Sequence, residues 1–148
     1  MSLCLALIIV GVLSPSRVRL EDITNEGVFR IYSTDVVYSP LIVSRTSVGF
    51  AFIYHVCPSN VQDVRKLFTR IDGESISFCS SKKCVDGVLR LFGARVISTS
   101  QIGNIESTLA KTRQNDRFIV ADGQRVNLQI AVSGERTTVG WPLILGSF

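Results

Sequence analysis

His55 is the only histidine in the chain, and Cys57 stands two positions after it. In an extended strand every second side chain points the same way, so the two share a face. An imidazole beside a thiol is the raw material of a base–nucleophile pair, or of two ligands to a metal ion. Catalysis would need a third group to orient the ring, and a structural zinc site would need four ligands. His55 and Cys57 are therefore carried as metal candidates without a complete ligand set. Cys79 and Cys84 lie five positions apart, and the turn between them would bring them together as a candidate disulfide. The competing reading of all three thiols is a packed or idle role.

Other chemistry is thin. Asp72 and Glu74 are close in sequence but flank a turn, where Asp is expected for local hydrogen bonding. Neither a GxGxxG nor a GxxxxGK[ST] phosphate cradle occurs. Phe29-Arg30-Ile31-Tyr32 alternates, placing Arg30 and Tyr32 on one face and Phe29 and Ile31 on the other. A basic–aromatic face suits ligand contact, so Arg30 and Tyr32 are candidate ligand-binding residues. Trp141, the one tryptophan, joins them as a stacking candidate. No catalytic residue and no cofactor are assigned.

The elements that must position these residues follow from periodicity. Val28–Val37, Leu41–Arg45 and Gly49–Val56 read as strands, the last with Phe50, Phe52 and Tyr54 on one face. Ser59 and Gln62 form a capping-box pattern before Val61, Val64, Leu67, Phe68 and Ile71, which predict a helix ended by Asp72-Gly73. Glu74–Cys79 alternates like a half-buried strand. Ser80 or Ser81 would cap a second helix with Cys84, Val85, Val88, Leu89 and Phe92 on its apolar stripe, stopped by Gly93.

Strands Ala94–Thr99, Ile105–Ala110, Arg117–Ala121, Val126–Val132 and Thr137–Leu145 follow, with Asp122-Gly123 as a hairpin turn. Gly140 and Pro142 suggest a bulge in the last strand, or an edge position for it. The expected fold is α+β: a curved antiparallel sheet with both amphipathic helices on one face.

At 148 residues the chain has room for one ordinary domain, here residues 27–148 behind a linker at 17–26. Its 46% hydrophobic and 19% charged residues exclude a disordered polar chain. The formal charge of +4 comes without clustering, since the longest basic runs are Arg65-Lys66 and Lys82-Lys83. A phosphate-binding face would call for clustered basic residues, so the charge by itself does not decide the partner; nucleic acid is not the expected one. Leu3–Leu13 is an uncharged run too short to span a bilayer as a stable anchor, and it suits the core of an export signal. Ser14 and Ser16 offer small residues near a cleavage point, although no Lys or Arg precedes the run. Residues 1–16 are thus expected to be a signal peptide or signal-anchor, with a buried first strand as the competing reading.

The C-terminal strands are the most distinctive part. Val126-Asn127-Leu128-Gln129-Ile130-Ala131-Val132, a polar turn, then Thr138-Val139-Gly140 and Pro142-Leu143-Ile144 resemble the ending of the YwmB family. Trp141 stands where that family more usually has a smaller residue. Members are exported proteins of Gram-positive, spore-forming bacteria without an established activity, and their fold is like that of the TATA-box-binding protein. The resemblance implies an extracytoplasmic envelope protein with a link to sporulation or wall metabolism. It does not imply DNA binding, because a fold is not an activity.

The expectation that results is a non-catalytic binding or accessory domain outside the cytoplasmic membrane. Its partner would be a protein or a cell-wall polymer, met through the open sheet face or an edge, and membrane contact would come only through an uncleaved signal. The alternatives are a cytoplasmic nucleic-acid-binding domain and a thiol enzyme using Cys57 or Cys79 with His55.

Overall fold

The computed structural model describes residues 17–80 and 84–145. The expected signal at 1–16, Ser81 and the Lys82-Lys83 pair lie outside them. Among the described residues no helix is long and apolar enough to cross a membrane.

Alternation produces strands as the side-chain period dictates. Val28–Ser33 (β1), Ile42–Val48 (β2) and Ala51–Val56 (β3) are followed by a 3₁₀ turn at Pro58–Asn60 and a short helix, Val61–Arg65 (α1). Next come Gly73–Cys79 (β4), Val85–Leu91 (α2), Arg95–Ile102 (β5) and Ile105–Lys111 (β6). Ile119–Ala121 (β7) and Gln124–Val126 (β8) form a separate hairpin, and Leu128–Ser133 (β9) and Arg136–Trp141 (β10) close the chain. Among the described residues the main sheet has eight strands in the order β2-β3-β1-β4-β10-β9-β6-β5, each neighbour antiparallel.

One side of this sheet is the core. Phe29 and Ile31 of β1 sit beside Val56 and Tyr54 of β3 and Ile76 of β4, which continue into Val139, Ile130 and Leu128. Val61 and Val64 of α1, Val88 of α2 and the adjoining Phe92 belong to the same buried cluster. Both helices therefore cover one face, and the fold is α+β, as the one-sided stripes require. Gly93 (φ 55) ends α2 with the expected left-handed stop: its N–H bonds Arg90 O and that of Ala94 bonds Leu89 O.

Several local expectations give way to tertiary contacts. The first helix stops at Arg65 instead of reaching Ile71. Asp35 Oδ2 accepts from the backbone N–H of Thr69 (2.8 Å) and Arg70 (3.0 Å), and the Ser33 hydroxyl donates to Arg70 O. These bonds take the groups that a longer helix would use. They also hold the Asp35 carboxyl below its usual range, the Arg70 N–H contributing most. Phe68 and Ile71 still pack on the core, but Leu67 is exposed. The Ser59 capping box does not form, because Ser59 lies inside the 3₁₀ turn. Phe50 leaves the face of Phe52 and Tyr54 for a two-residue turn with Gly49. The 17–26 stretch, read as a linker, supplies the fully buried Leu20 to the core.

The C-terminal end differs most. β10 is a central strand between β4 and β9, not an edge, and no register shift interrupts it. Gly140 is needed for another reason. A Cβ there would sit 2.3 Å from Ile144 N and 2.4 Å from the Leu143 carbonyl carbon, so the chain after Trp141 folds back directly over the strand.

Candidate binding site on the open sheet face

The face away from the helices is a lattice of hydroxyls. Tyr32, Ser75, Ser77, Thr138 and Ser107 alternate with the core residues, and all five are buried within it. The Tyr32 hydroxyl pairs with Ser75 Oγ (3.0 Å) and the Ser77 hydroxyl with Thr138 Oγ1 (2.8 Å). Side-by-side Ser and Thr on paired strands satisfy one another, which keeps a polar face stable without a cover.

The fold divides this face into a roofed part and an open part. Pro142–Leu145 crosses over Gly140 and Gly73, and the Ile144 N–H donates to Gln129 Oε1 (3.0 Å) while Gln129 Nε2 donates to Ser107 Oγ (3.0 Å). Tyr32 lies in register with Gly73 at this roofed end. Burial raises its phenol pKa, against the Ser75 bond and the Arg30 charge that lower it. Replacing Gly140 by Ala is expected to displace the roof and cost about 1–3 kcal/mol, as overpacking does. Urea unfolding measures this, and an unshifted midpoint would mean the segment does not press on Gly140.

At the other end two arginines approach the hydroxyls. Arg30 of β1 donates from Nη1 to Ser77 Oγ (2.6 Å), and Arg136 begins β10 two positions before Thr138. Arg30, Arg136, Ser77, Cys79 and Glu26 line a depression of about 320 Å³. Arg136 and Thr138 continue into a second one of about 260 Å³, shared with Ser133. Among the described residues neither arginine forms an ion pair. His55 of β3 belongs to the same face, its Nδ1 bonded to Ser44 Oγ (2.7 Å). Burial, and then the charge of Arg30, lower the His55 pKa. At neutral pH the imidazole is therefore uncharged, and the positive field here comes from the guanidiniums.

The candidates separate accordingly. Arg30 and Tyr32 share the open face, but the Tyr32 hydroxyl is spent on Ser75 beside the roof. Trp141 lies on the opposite, helix-covered side, edge-on to Phe92 with centroids 5.7 Å apart, in the wall of a groove with Arg17, Arg19 and Arg117. His55 and Cys57 gain no company: among the described residues no three His, Cys, Asp or Glu side chains cluster to hold a metal ion. Cys57, Cys79 and Cys84 are free thiols, Cys57 and Cys79 exposed and Cys84 with its Sγ 3.5 Å from Thr137 Oγ1.

Arg136, Ser77 and Thr138 were not legible as site residues. They stand 59 and 61 positions apart, and only the pairing of β4 with β10 joins them. The alternation of Ser75 and Ser77 with Ile76 and Phe78 was the available signal. No protein-family model, curated protein or solved structure matches the chain.

Proposed function

We propose that this chain is a non-catalytic binding domain of the extracytoplasmic envelope, and that its open sheet face takes an anionic segment of a wall polymer. The observation that carries the reading is the convergence of Arg30 and Arg136, both without ion pairs among the described residues, on the Ser77–Thr138 hydroxyl pair. A guanidinium lacking a carboxylate partner is a ready donor to phosphate or carboxylate oxygens, in fork geometry. The extracytoplasmic part rests on the uncharged run Leu3–Leu13 and on the likeness of the C-terminal strands to the YwmB family.

A salt series with poly(glycerol phosphate) tests this. Binding should weaken steeply as salt rises, since the arginines displace the polymer's counterions. Arg30→Gln and Arg136→Gln should each cost about tenfold in affinity. Salt-independent binding, or a double variant that binds as the wild type does, would refute the proposal. Tighter binding to single-stranded DNA of equal charge would favour the nucleic-acid reading in its place.

A further inference from the structure

The β2–β3 hairpin ends in a turn whose one large side chain is not packed into the fold. Val48 pairs with Ala51, leaving only Gly49 and Phe50 in the loop. Gly49 takes φ 59 and Phe50 does not have a positive φ, the arrangement of a tight hairpin turn with glycine first. The last residue of β1 pairs with Phe52, so the four-residue tip extends past the strand beside it. Phe50 is 98% exposed and Val48 50% exposed, and a Cβ on Gly49 would meet nothing within 4 Å. With Phe50 wholly in water and Val48 half exposed beside it, the tip presents a small apolar point that the fold leaves uncovered.

The charges around it are one-sided. From Val36 to Gln62 there is no Asp or Glu, and Arg45 is the only residue with a permanent charge. Arg45 stands over the rings of Tyr38 and Phe52, 4.9 Å from each centroid, so its guanidinium is held against the hairpin. An apolar tip backed by a cation, in a stretch of chain without Asp or Glu, complements an anionic bilayer: hydrocarbon first, phosphates behind. A second copy of the chain fits less well. One Phe buries about 150–250 Å², whereas a stable interface takes roughly 800 Å² from each partner. A lipid boundary needs no such matching surface.

We infer that the β2–β3 tip is a lipid-interface anchor, with Phe50 and Val48 entering the headgroup boundary of an anionic membrane and Arg45 facing its phosphates. This is independent of the polymer site, which uses Arg30 and Arg136.

The test is co-sedimentation of the full chain with phosphatidylglycerol-containing vesicles and with pure phosphatidylcholine vesicles. Wild type should prefer the former, and Phe50→Asp should lower that binding about tenfold or more. Because Phe50 is solvated in the fold, the variant should keep its circular dichroism. Depth is read separately with Phe50→Trp in a Trp141→Phe background, whose fluorescence brominated lipid should quench. Equal sedimentation of wild type and Phe50→Asp together with an unquenched Trp overturns the inference. So does a concentration-dependent dimer that Phe50→Asp abolishes, which would give the tip to a second copy.

Discussion

Arg65→Met is expected to destabilise the fold by about 3–5 kcal/mol, the cost of stripping one partner from a buried ionic cluster. Arg65 closes α1 and reaches two carboxylates from distant parts of the chain. It donates to Glu21 through both Nη atoms, the Nη2 bond being 2.7 Å, and to Glu74 of β4 through Nε (2.6 Å) and Nη2 (3.1 Å). All three side chains are mostly buried. Burial works against the guanidinium charge, but the bonds to Glu21 and Glu74 outweigh it and raise the Arg65 pKa. Methionine keeps an apolar stem but removes the guanidinium that stands over the Phe29 ring, leaving two carboxylates without a counter-ion in a place with little water. Denaturant unfolding at neutral pH measures the loss. A loss below about 1 kcal/mol at neutral pH would show the cluster to be as weak as a surface ion pair.

Asn127→Leu should cost a similar amount, about 3–5 kcal/mol, from hydrogen bonds left unmade. Asn127 interrupts the C-terminal apolar run, and its buried amide ties the strand to the loop after β6. Its Oδ1 accepts from Thr112 N (2.8 Å), and its Nδ2 donates to Thr112 O (2.8 Å) and Asn115 O (2.7 Å). Leucine has nearly the same volume but satisfies none of these groups, each of which carries a desolvation cost of about 1–3 kcal/mol. Asn127→Asp should destabilise as well: one carboxylate oxygen can still accept from Thr112 N, but the other would face the Thr112 and Asn115 carbonyl oxygens at a buried position. Comparison of the two variants by thermal unfolding separates lost packing from lost bonding. Equal stability of leucine and wild type would remove the amide from the account.

Asn127 also shows where periodicity misled. Val126–Val132 alternates well enough to read as one strand, yet Asn127 falls between β8 and β9, which belong to different sheets. A polar residue in an apolar run can be a solvent-facing position or a buried hub, and local pattern does not distinguish them. The same ambiguity affected the segment after α1. Leu67, Phe68 and Ile71 keep helical spacing, but Asp35, far back in the chain, claims the backbone N–H groups of Thr69 and Arg70. Gly140 in a strand pattern signals something unusual, but the cause is tertiary: its missing Cβ makes room for the returning chain, not for a bulge.

By itself, the sequence determined the element types along most of the chain, the α+β class and the single core under two helices. Those depend on side-chain periods of two and 3.6 residues, which are properties of a few consecutive positions. It also determined that Arg30 and Tyr32 would stand on the side away from Phe29 and Ile31. Only the tertiary structure decided that Arg30 would meet Ser77 and Ser77 would meet Thr138, contacts across 47 and 61 positions. It alone set Trp141 on the far side of the sheet from Arg30 and drew residues 142–145 over Gly140 and Gly73 on the open face. Such neighbours are chosen by which strand edges pair, and pairing is settled by the free energy of the whole sheet, so no short stretch of residues encodes it.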